Sequence, residues 1–536
     1  MKPKSLINLI LIFLNCNNLY SKFYCLNSKN KIVAIDDQIF KEMNSSPVNT
    51  PGTTIYNNIL IIGCGAVAQC LLPILVKELN IKPNQITILD FVDNKYKITD
   101  LIEQGLIYKQ IKITKENYKD ILKNNLNPGD ILIDLSWYIG TIDLLKWCYE
   151  NNIRYLNTSI ELWDISQNMK DKDIQNFTLY ARHMAIKDLL LSWGNNNGPT
   201  AILDHGANPG LVSHFTKQAI EDIAYKIILE KPTDYRINEI KLALNSKNFA
   251  KLAQLEGIKV IHISEKDTQI SLIPKKPNEF VNTWSIPGLY EEATAPAELG
   301  WGTHEKKLPK GIIFHKTGPK NQVCLESQGL DTIVRSWVPS GEILGMVIRH
   351  GEAFSISDRL TVWENQKAIY RPTVNYAYCI CDAALSSLYE LKMRQFEIQE
   401  NIRIMSNDIL QGEDELGVLL MGHDYNAWWI GSILDIKEAR KLVPNQNATT
   451  VQVAISAVAA IKYMINHPNN GVCLPDDLDH KEILDFAKPY LGKFLSISTD
   501  WTPLKRKASY FSYNKNIINP KDIWQFTTFL VNNCNY

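Results

Sequence analysis

Residues Ile59 to Asp90 constrain this chain more than any other stretch. Ile59-Leu60-Ile61-Ile62 is a short apolar run of strand type, and Gly63-Cys64-Gly65-Ala66-Val67-Ala68 follows it in the pattern G-x-G-x-x-A. Cys70 to Val76 then reads as a buried helix face, and Gln85 to Leu89 as a second strand closed by Asp90. The glycines permit a tight turn and let the backbone approach a pyrophosphate, while the helix N-terminus offers free N–H groups and a positive dipole end. A dinucleotide is therefore expected against Gly63, Gly65, Ala66 and Val67. Asp90 stands where an acid accepts hydrogen bonds from the adenosine ribose, which favours NAD over NADP. The alternative is a strand–helix turn that binds nothing; the elements on both sides of the loop favour the cofactor. Pro73 lies inside the expected helix and is tolerable only near its first turns.

The alternation continues beyond Asp90. Gly129 to Leu135 is a strand ending at Ser136, Asp143 to Tyr149 has helical spacing, and Arg154 to Thr158 and Ala201 to Asp204 are further strands. Strands alternating with helices over this length predict an α/β fold with a doubly wound parallel sheet of Rossmann type. Ligands bind at the carboxyl ends of such strands, where Ser136, Thr158, Glu161 and Asn208 fall. Ser136 and Thr158 are assigned to the cofactor; Glu161 enters by its position alone. From about Gly206 the pattern becomes α+β. A helix is expected at Leu211–Ile223, strands near Ile258–Ser264, Asn282–Ser285, Met346–His350, Ser355–Val362 and Ala368–Tyr370, and helices at Ala383–Leu391 and Val451–Ile465. The expected organisation is an N-terminal extension over 1–54, a Rossmann domain over 55–205, and a substrate-binding and dimerisation domain over 206–536.

Bulk properties exclude some partners. The 536 residues balance 57 basic against 57 acidic side chains, so no global charge points to nucleic acid or an anionic membrane. Ten cysteines are scattered without a C-x-x-C pair, the nearest being Cys379-Ile380-Cys381, which fits free thiols in the cytoplasm better than zinc or disulfides. Met1-Lys2-Pro3-Lys4 followed by the apolar stretch Leu6–Leu14 resembles the start of a signal peptide, yet Asn15-Cys16-Asn17-Asn18 provides no small-residue cleavage site.

The second half supplies acids and indoles rather than a metal set. Glu265, Glu292, Glu298, Glu352 and Asp414 sit in motif-like surroundings with Trp284, Trp301, Trp337, Trp428 and Trp429 among them. Each acid alone could be a solvated or capping residue, and each Trp a core residue. Together, carboxylates gathered in a cleft repel one another unless cations fill it, and indole faces attract cations. Such a pocket suits a polyamine. The ten histidines show neither H-x-x-x-H nor H-E-x-x-H, so no metal is expected.

Longer strings narrow the reading. Gly206-Ala207-Asn208-Pro209-Gly210, Glu265-Lys266-Asp267-Thr268-Gln269, Val281-Asn282-Thr283-Trp284-Ser285, Pro296 to Thr303, Tyr370-Arg371-Pro372-Thr373, Asp414 to Leu420, Asn445 to Thr449 and Thr499 to Leu504 occur in this order. In these strings the chain resembles the bacterial homospermidine synthases, saccharopine dehydrogenase-like Rossmann proteins, from about Ile59 to Thr527. Lys266 stands where the family pattern has Arg, and the extension is outside that pattern. The resemblance implies NAD held as a prosthetic group and putrescine as substrate, and leaves open whether spermidine can replace putrescine as donor. It also implies a homodimer. By the same resemblance Trp284 is the indole beside the cationic intermediate, Glu292 and Glu265 are ammonium anchors with Asn208 beside them, His350 and Glu352 form a pair at the reacting centre, and Asp414 completes the acidic lining. It leaves the proton acceptor open among a raised carboxylate and a neutral His. A carboxynorspermidine or saccharopine dehydrogenase type of oxidoreductase is the alternative, and would need Arg or Lys for its carboxylated substrate; Arg335 and Arg371 are the arginines in or near the strings.

Overall fold

The computed structural model describes residues 57–163, 173–504 and 523–531, and before them only two short strands, Tyr24–Leu26 and Ile32–Ala34, paired antiparallel. Those strands belong to one unit, Met1–Thr54; two lobes make up the other, Ile55–Tyr536. The signal-like stretch Leu6–Leu14 lies outside the described residues.

The first lobe contains β1 (Ile59–Ile62), α1 (Ala66–Leu79), β2 (Ile86–Asp90), β3 (Ile107–Gln110), β4 (Ile131–Asp134), α2 (Thr141–Glu150), β5 (Arg154–Asn157), α3 (Leu179–Trp193) and β6 (Gly198–Ile202). All residues of β1 and β4 are buried. A strand covered on both faces is mostly apolar, which is why these segments read as near-continuous runs. Pro73 sits at the eighth position of α1, later than expected, and on its exposed side. There water can serve the carbonyl that the missing N–H leaves free.

The second lobe includes α4 (Leu211–Glu230), β7 (Val260–Asp267), α5 (Ile286–Thr294), β8 (Pro296–Gly300), α6 (Gly351–Arg359), β9 (Thr373–Cys379), β10 (Glu413–Met421), β11 (Ala427–Asp435), α7 (Ala448–Asn466), β12 (Asn470–Cys473) and β13 (Lys493–Thr499). Its ten-stranded mixed sheet runs Ile312–Phe314, Gln322–Gln328, β8, β9, β7, β10, β11, β13, with the hairpin Ile333–Val338/Gly341–Met346 joined to β9. β7 lies parallel to β9 and antiparallel to β10.

The second half also returns to the first. β12 pairs in parallel with β6, so the first sheet is seven-stranded and parallel in the order β12-β6-β5-β4-β1-β2-β3, and α7 packs against α1. The nucleotide-binding lobe is thus not one continuous stretch ending at 205. α7 is long and apolar enough to cross a membrane, but 83% of its most apolar window is buried in the protein, as a core helix requires.

Three local expectations fail. Met346–His350 is not a strand: the strand there, Gly341–Met346, ends at Met346. Ser355–Val362 is not a strand: residues 351–359 form α6, and its members from Gly351 to Ser357 are all buried. With every face covered, the alternation Ser355-Ile356-Ser357 carries no information about period. Asn282–Ser285 is likewise not a strand; the strand there, Glu279–Asn282, ends at Asn282, and Ser285 instead caps α5.

Candidate active site

The glycine loop is shaped as a dinucleotide requires. Gly63 has φ +94°, and a Cβ on it would stand 2.7 Å from the Leu135 carbonyl oxygen. A Cβ on Gly65 would meet no heavy atom within 4 Å, so the backbone there is open to close approach. Gly65 is the N-cap of α1 and has no side chain to satisfy the first amides, which Ala66 and Val67 begin. Asp90 ends β2 beside this loop. Its Oδ2 accepts from Cys64 N at 2.7 Å and from Asn94 Nδ2 at 3.3 Å, and its Oδ1 from Val92 N at 2.9 Å. The acid therefore also ties the loop to β2. Ser136 follows β4 and donates to Asp134 Oδ1 at 2.5 Å, while Thr158 follows β5 and packs near Gly206. These residues fit NAD at the carboxyl edge of the sheet.

A narrow cleft with a cavity of about 50 Å³ opens beside that edge, lined from the first lobe by Trp137, Ser159, Glu161, Arg182 and Asp204, and from the second by Glu291, Glu292, Arg349 and His350. The arginines are spent internally. Arg182 donates to Ile160 O at 2.8 Å and Glu291 at 2.7 Å; Arg349 donates to Phe177 O at 2.7 Å and also to Glu291. Burial pushes Glu161 up to about 7 despite the nearby Arg182. Glu298, one of the candidate acids, is structural. It accepts from Leu179 N at 2.8 Å and Tyr180 N at 3.3 Å, capping α3, and from Gln322 Nε2 at 2.6 Å.

Glu292 and His350 lead inward. Glu292 lies on α5, and its Oε2 is 3.2 Å from His350 Nε2; Glu352, in the first turn of α6, has Oε2 3.4 Å from His350 Nδ1. Burial opposes charge on this imidazole, but the two carboxylates outweigh it and hold the pKa well above the usual value. Glu292 is raised by burial, partly offset by His350. The His350 ring stands edge-on to Tyr376 at 4.6 Å, and the Tyr376 hydroxyl donates to Glu265. Asn208, on the loop after β6, donates from Nδ2 to Glu265 Oε2 and lies equally close to the Tyr376 hydroxyl, both at 2.6 Å.

Strand register gathers the remaining acids. On β7 the residues Glu265 and Asp267 share one face. β10 sets Asp414 opposite Asp267, and β9 sets Tyr378 opposite Glu265. Glu265 is pushed up to about 7 and Asp267 to about 6, both chiefly by burial, and Asp414 is raised by burial and then by the charges of Glu265 and Asp267. Asp267 is held by Thr283 Oγ1 at 2.7 Å and Asp414 by Thr449 Oγ1 at 2.5 Å. Beside this cluster stand Tyr376 and Tyr378, stacked 5.1 Å apart, and Tyr378 accepts at its hydroxyl from Nε1 of half-buried Trp284 at 3.0 Å. Lys266 points to the opposite sheet face and donates to Ser340.

The structure thus brings Trp284, Glu292, Glu265, Asn208, His350, Glu352 and Asp414 into one connected region. Sequence reasoning missed Trp137, Arg182, Tyr376 and Tyr378 as members of it. The only sequence signal for Trp137 was its place next to Ser136 at a strand end; Tyr376 and Tyr378 become visible only through pairing with β7. Arg335, paired with Glu342, and Arg371, which donates to Thr361, belong to other contacts.

Comparison with known proteins identifies the family. Residues 59–202 match the saccharopine dehydrogenase NADP binding domain, and residues 206–497 the saccharopine dehydrogenase C-terminal domain. A homospermidine synthase of Mesorhizobium japonicum is 38% identical over 88% of this chain and 96% of its own length. One from Blastochloris viridis is 35% identical over 88% and 97%. The crystal structure of the Legionella pneumophila homospermidine synthase in complex with NAD superposes with a TM-score of 0.78 at 37% identity, covering 90% of this chain and all of that one.

Proposed function

Because the chain belongs to the homospermidine synthase family of enzymes, we propose that it joins two putrescine molecules into homospermidine and releases ammonia. When bound, NAD supplies hydride acceptance from the amine-bearing carbon of one putrescine and hydride return to the imine formed with the second, and we propose that it stays in place between the two. Gly63, Gly65, Ala66, Val67, Asp90, Ser136 and Thr158 would hold it.

The single observation that carries the substrate reading is the set of crowded carboxylates beside aromatic rings. Glu265, Asp267 and Asp414 cannot all ionise together without a cation among them. An alkylammonium end provides one, and a four-carbon chain runs past the rings. Trp284 presents its face to the cationic carbon–nitrogen centre, and cation–π attraction favours the delocalised iminium over a tightly hydrated ammonium. A proton must leave the reacting amine before hydride does. His350 is poorly suited to take it, since Glu292 and Glu352 keep the imidazole charged. Glu292, cleft-facing and raised by burial, is the acceptor we assign, with the His350 imidazolium returning a proton to the departing amine. Spermidine can enter by the same contacts as aminobutyl donor, releasing diaminopropane.

A carboxynorspermidine or saccharopine dehydrogenase activity would need a cation free for the substrate carboxylate. Both cleft arginines are engaged by Glu291 and by backbone carbonyls, which counts against it. We further propose the lobe division 55–205 and 206–536, amended by the return of β12, a cytoplasmic location in keeping with unpaired thiols such as Cys64 and Cys379, and a homodimer. Leu385, Tyr389 and Met393, exposed and spaced four apart on the helix Asp382–Met393, offer an apolar stripe for that dimer.

The deciding experiment incubates purified protein with putrescine and trace NAD. Homospermidine should accumulate far beyond the NAD supplied, with no build-up of NADH absorbance. NADH released in step with putrescine consumed would move the protein to the dehydrogenase reading.

A further inference from the structure

Trp137 joins the two lobes across the mouth of the cleft. It lies three residues after β4, on the first lobe, and its Nε1 donates to Ser285 Oγ at 2.8 Å. Ser285 is the N-cap of α5 and accepts from Gly288 N at 3.2 Å through the same oxygen. α5 carries Glu292. A Cβ on Gly288 would stand 2.7 Å from Trp137 Cζ2 and 2.6 Å from Trp284 Cζ3, so both indoles rest on this one glycine, and a larger residue would part them. Trp137 lines the cleft together with Glu292 and His350. Its neighbour Tyr138 has φ +59°, a left-handed conformation that a bulky residue keeps only when its surroundings enforce it.

We propose that Trp137 is a latch: its bond to Ser285 and its packing on Gly288 hold the lobes closed over the reacting centre, so that the substrate-derived iminium meets amine and not water. The latch rests on the proposed synthase reaction, in which such an iminium waits in the cleft. If water reaches it, the C=N bond opens to a carbonyl and ammonium leaves. The resulting aminoaldehyde closes on its own amine with loss of water, giving 1-pyrroline. The two electrons taken from putrescine are then not returned, so one NADH remains for each pyrroline formed. Trp137 acts through closure and is a positioning residue.

The test uses the full chain with putrescine and NAD, measuring homospermidine by mass, 1-pyrroline by trapping and NADH by absorbance. Trp137→Phe and Ser285→Ala should each raise the pyrroline-to-homospermidine ratio at least fivefold, with matching NADH. The double variant should be no worse than either single, and Ser285→Thr should keep the wild-type ratio. In the protein without cofactor, Trp137→Phe should also speed hydrogen exchange at residues 285–289 on the opposite lobe. A slower enzyme with an unchanged ratio, or additive shifts in the double variant, overturns the latch. Should Trp137→Phe fail to fold, Ser285→Ala against Ser285→Thr decides alone. Wild-type protein that makes no homospermidine would instead overturn the synthase reaction itself.

Discussion

The two lobes both bury aspartates and glutamates, but they treat them differently. In the first lobe three buried aspartates are matched to several donors each. Asp130 accepts from Asn58 N and Asn127 N, both at 2.8 Å, Asp90 from two backbone amides and Asn94, and Asp134 from the Ser136 amide, the Ser136 hydroxyl and Tyr155. In the second lobe Glu292 and Glu352 share one cation, the His350 imidazolium, at 3.2 and 3.4 Å, and among the described residues Asp414 Oδ1 has no hydrogen-bond partner. Desolvating a carboxylate costs several kcal/mol unless it is neutral or paired. Acids of the first kind hold strands and loops together. Acids of the second kind keep capacity for a positive ligand, at some expense in stability of the free protein.

The largest expected effect separates these two kinds. Glu292→Gln should lower kcat by roughly 10²–10⁴, the range for a lost general base, with thermal stability unchanged or raised. Asp134→Asn should show the reverse pattern, a lower Tm and modest kinetic change. If both variants behaved alike in both assays, the distinction would be wrong.

Trp284 comes next. Activity should fall in the order Trp, Phe, Ala, with Glu no better than Ala, and the Ala loss should be about 10–30-fold from roughly 2 kcal/mol of lost cation–π attraction. An unfolded Ala variant would mark the ring as core packing instead.

The acids of the second lobe should then show in the pH dependence. Glu265 is raised from 4.5 to about 7 and Asp267 from 3.8 to about 6. The folded state favours their neutral forms, so their contribution to stability is full below about pH 4 and is lost as pH rises through 6 and 7. Putrescine requires the charged forms. Its affinity should therefore rise with pH over that window, by at most about tenfold per unit for one titrating group, and putrescine should raise Tm more at pH 8 than at pH 5.5. Thermal shifts at the two values check both signs.

Asp90→Ala should weaken NAD by about tenfold, from the loss of hydrogen bonds to an ionised group, and narrow its preference over NADP. A wild-type preference for NADP in a titration would remove Asp90 from the ribose. The smallest effect belongs to Lys266. Facing away from the cluster, it should form no borohydride-trapped adduct during turnover, and Lys266→Met should leave kcat within about twofold, as for a surface change.

Much of the first lobe was legible because its signals are local. A glycine loop, the strand before it and the acid after it lie within 32 residues, and strands buried on both faces announce themselves by apolar runs. Among the acids of the second lobe, Glu265 and Asp414 were legible within long strings, and Glu292 and Glu352 as acids in motif-like surroundings. Glu298 looked the same in sequence and proved to cap α3, because the backbone amides it serves come from 118 and 119 residues away.

By itself, then, the sequence determined the nucleotide fold, the acid-and-indole chemistry and the family likeness, since all three depend on short-range pattern or on the order of strings. Only the tertiary structure decided that β12 completes the first sheet, that 351–359 is a helix, that both cleft arginines are occupied by Glu291, and that Trp137 reaches Ser285. Each of these depends on partners distant in the chain, and a residue's type does not say which distant group will claim its charge, its hydrogen bond or its exposed face.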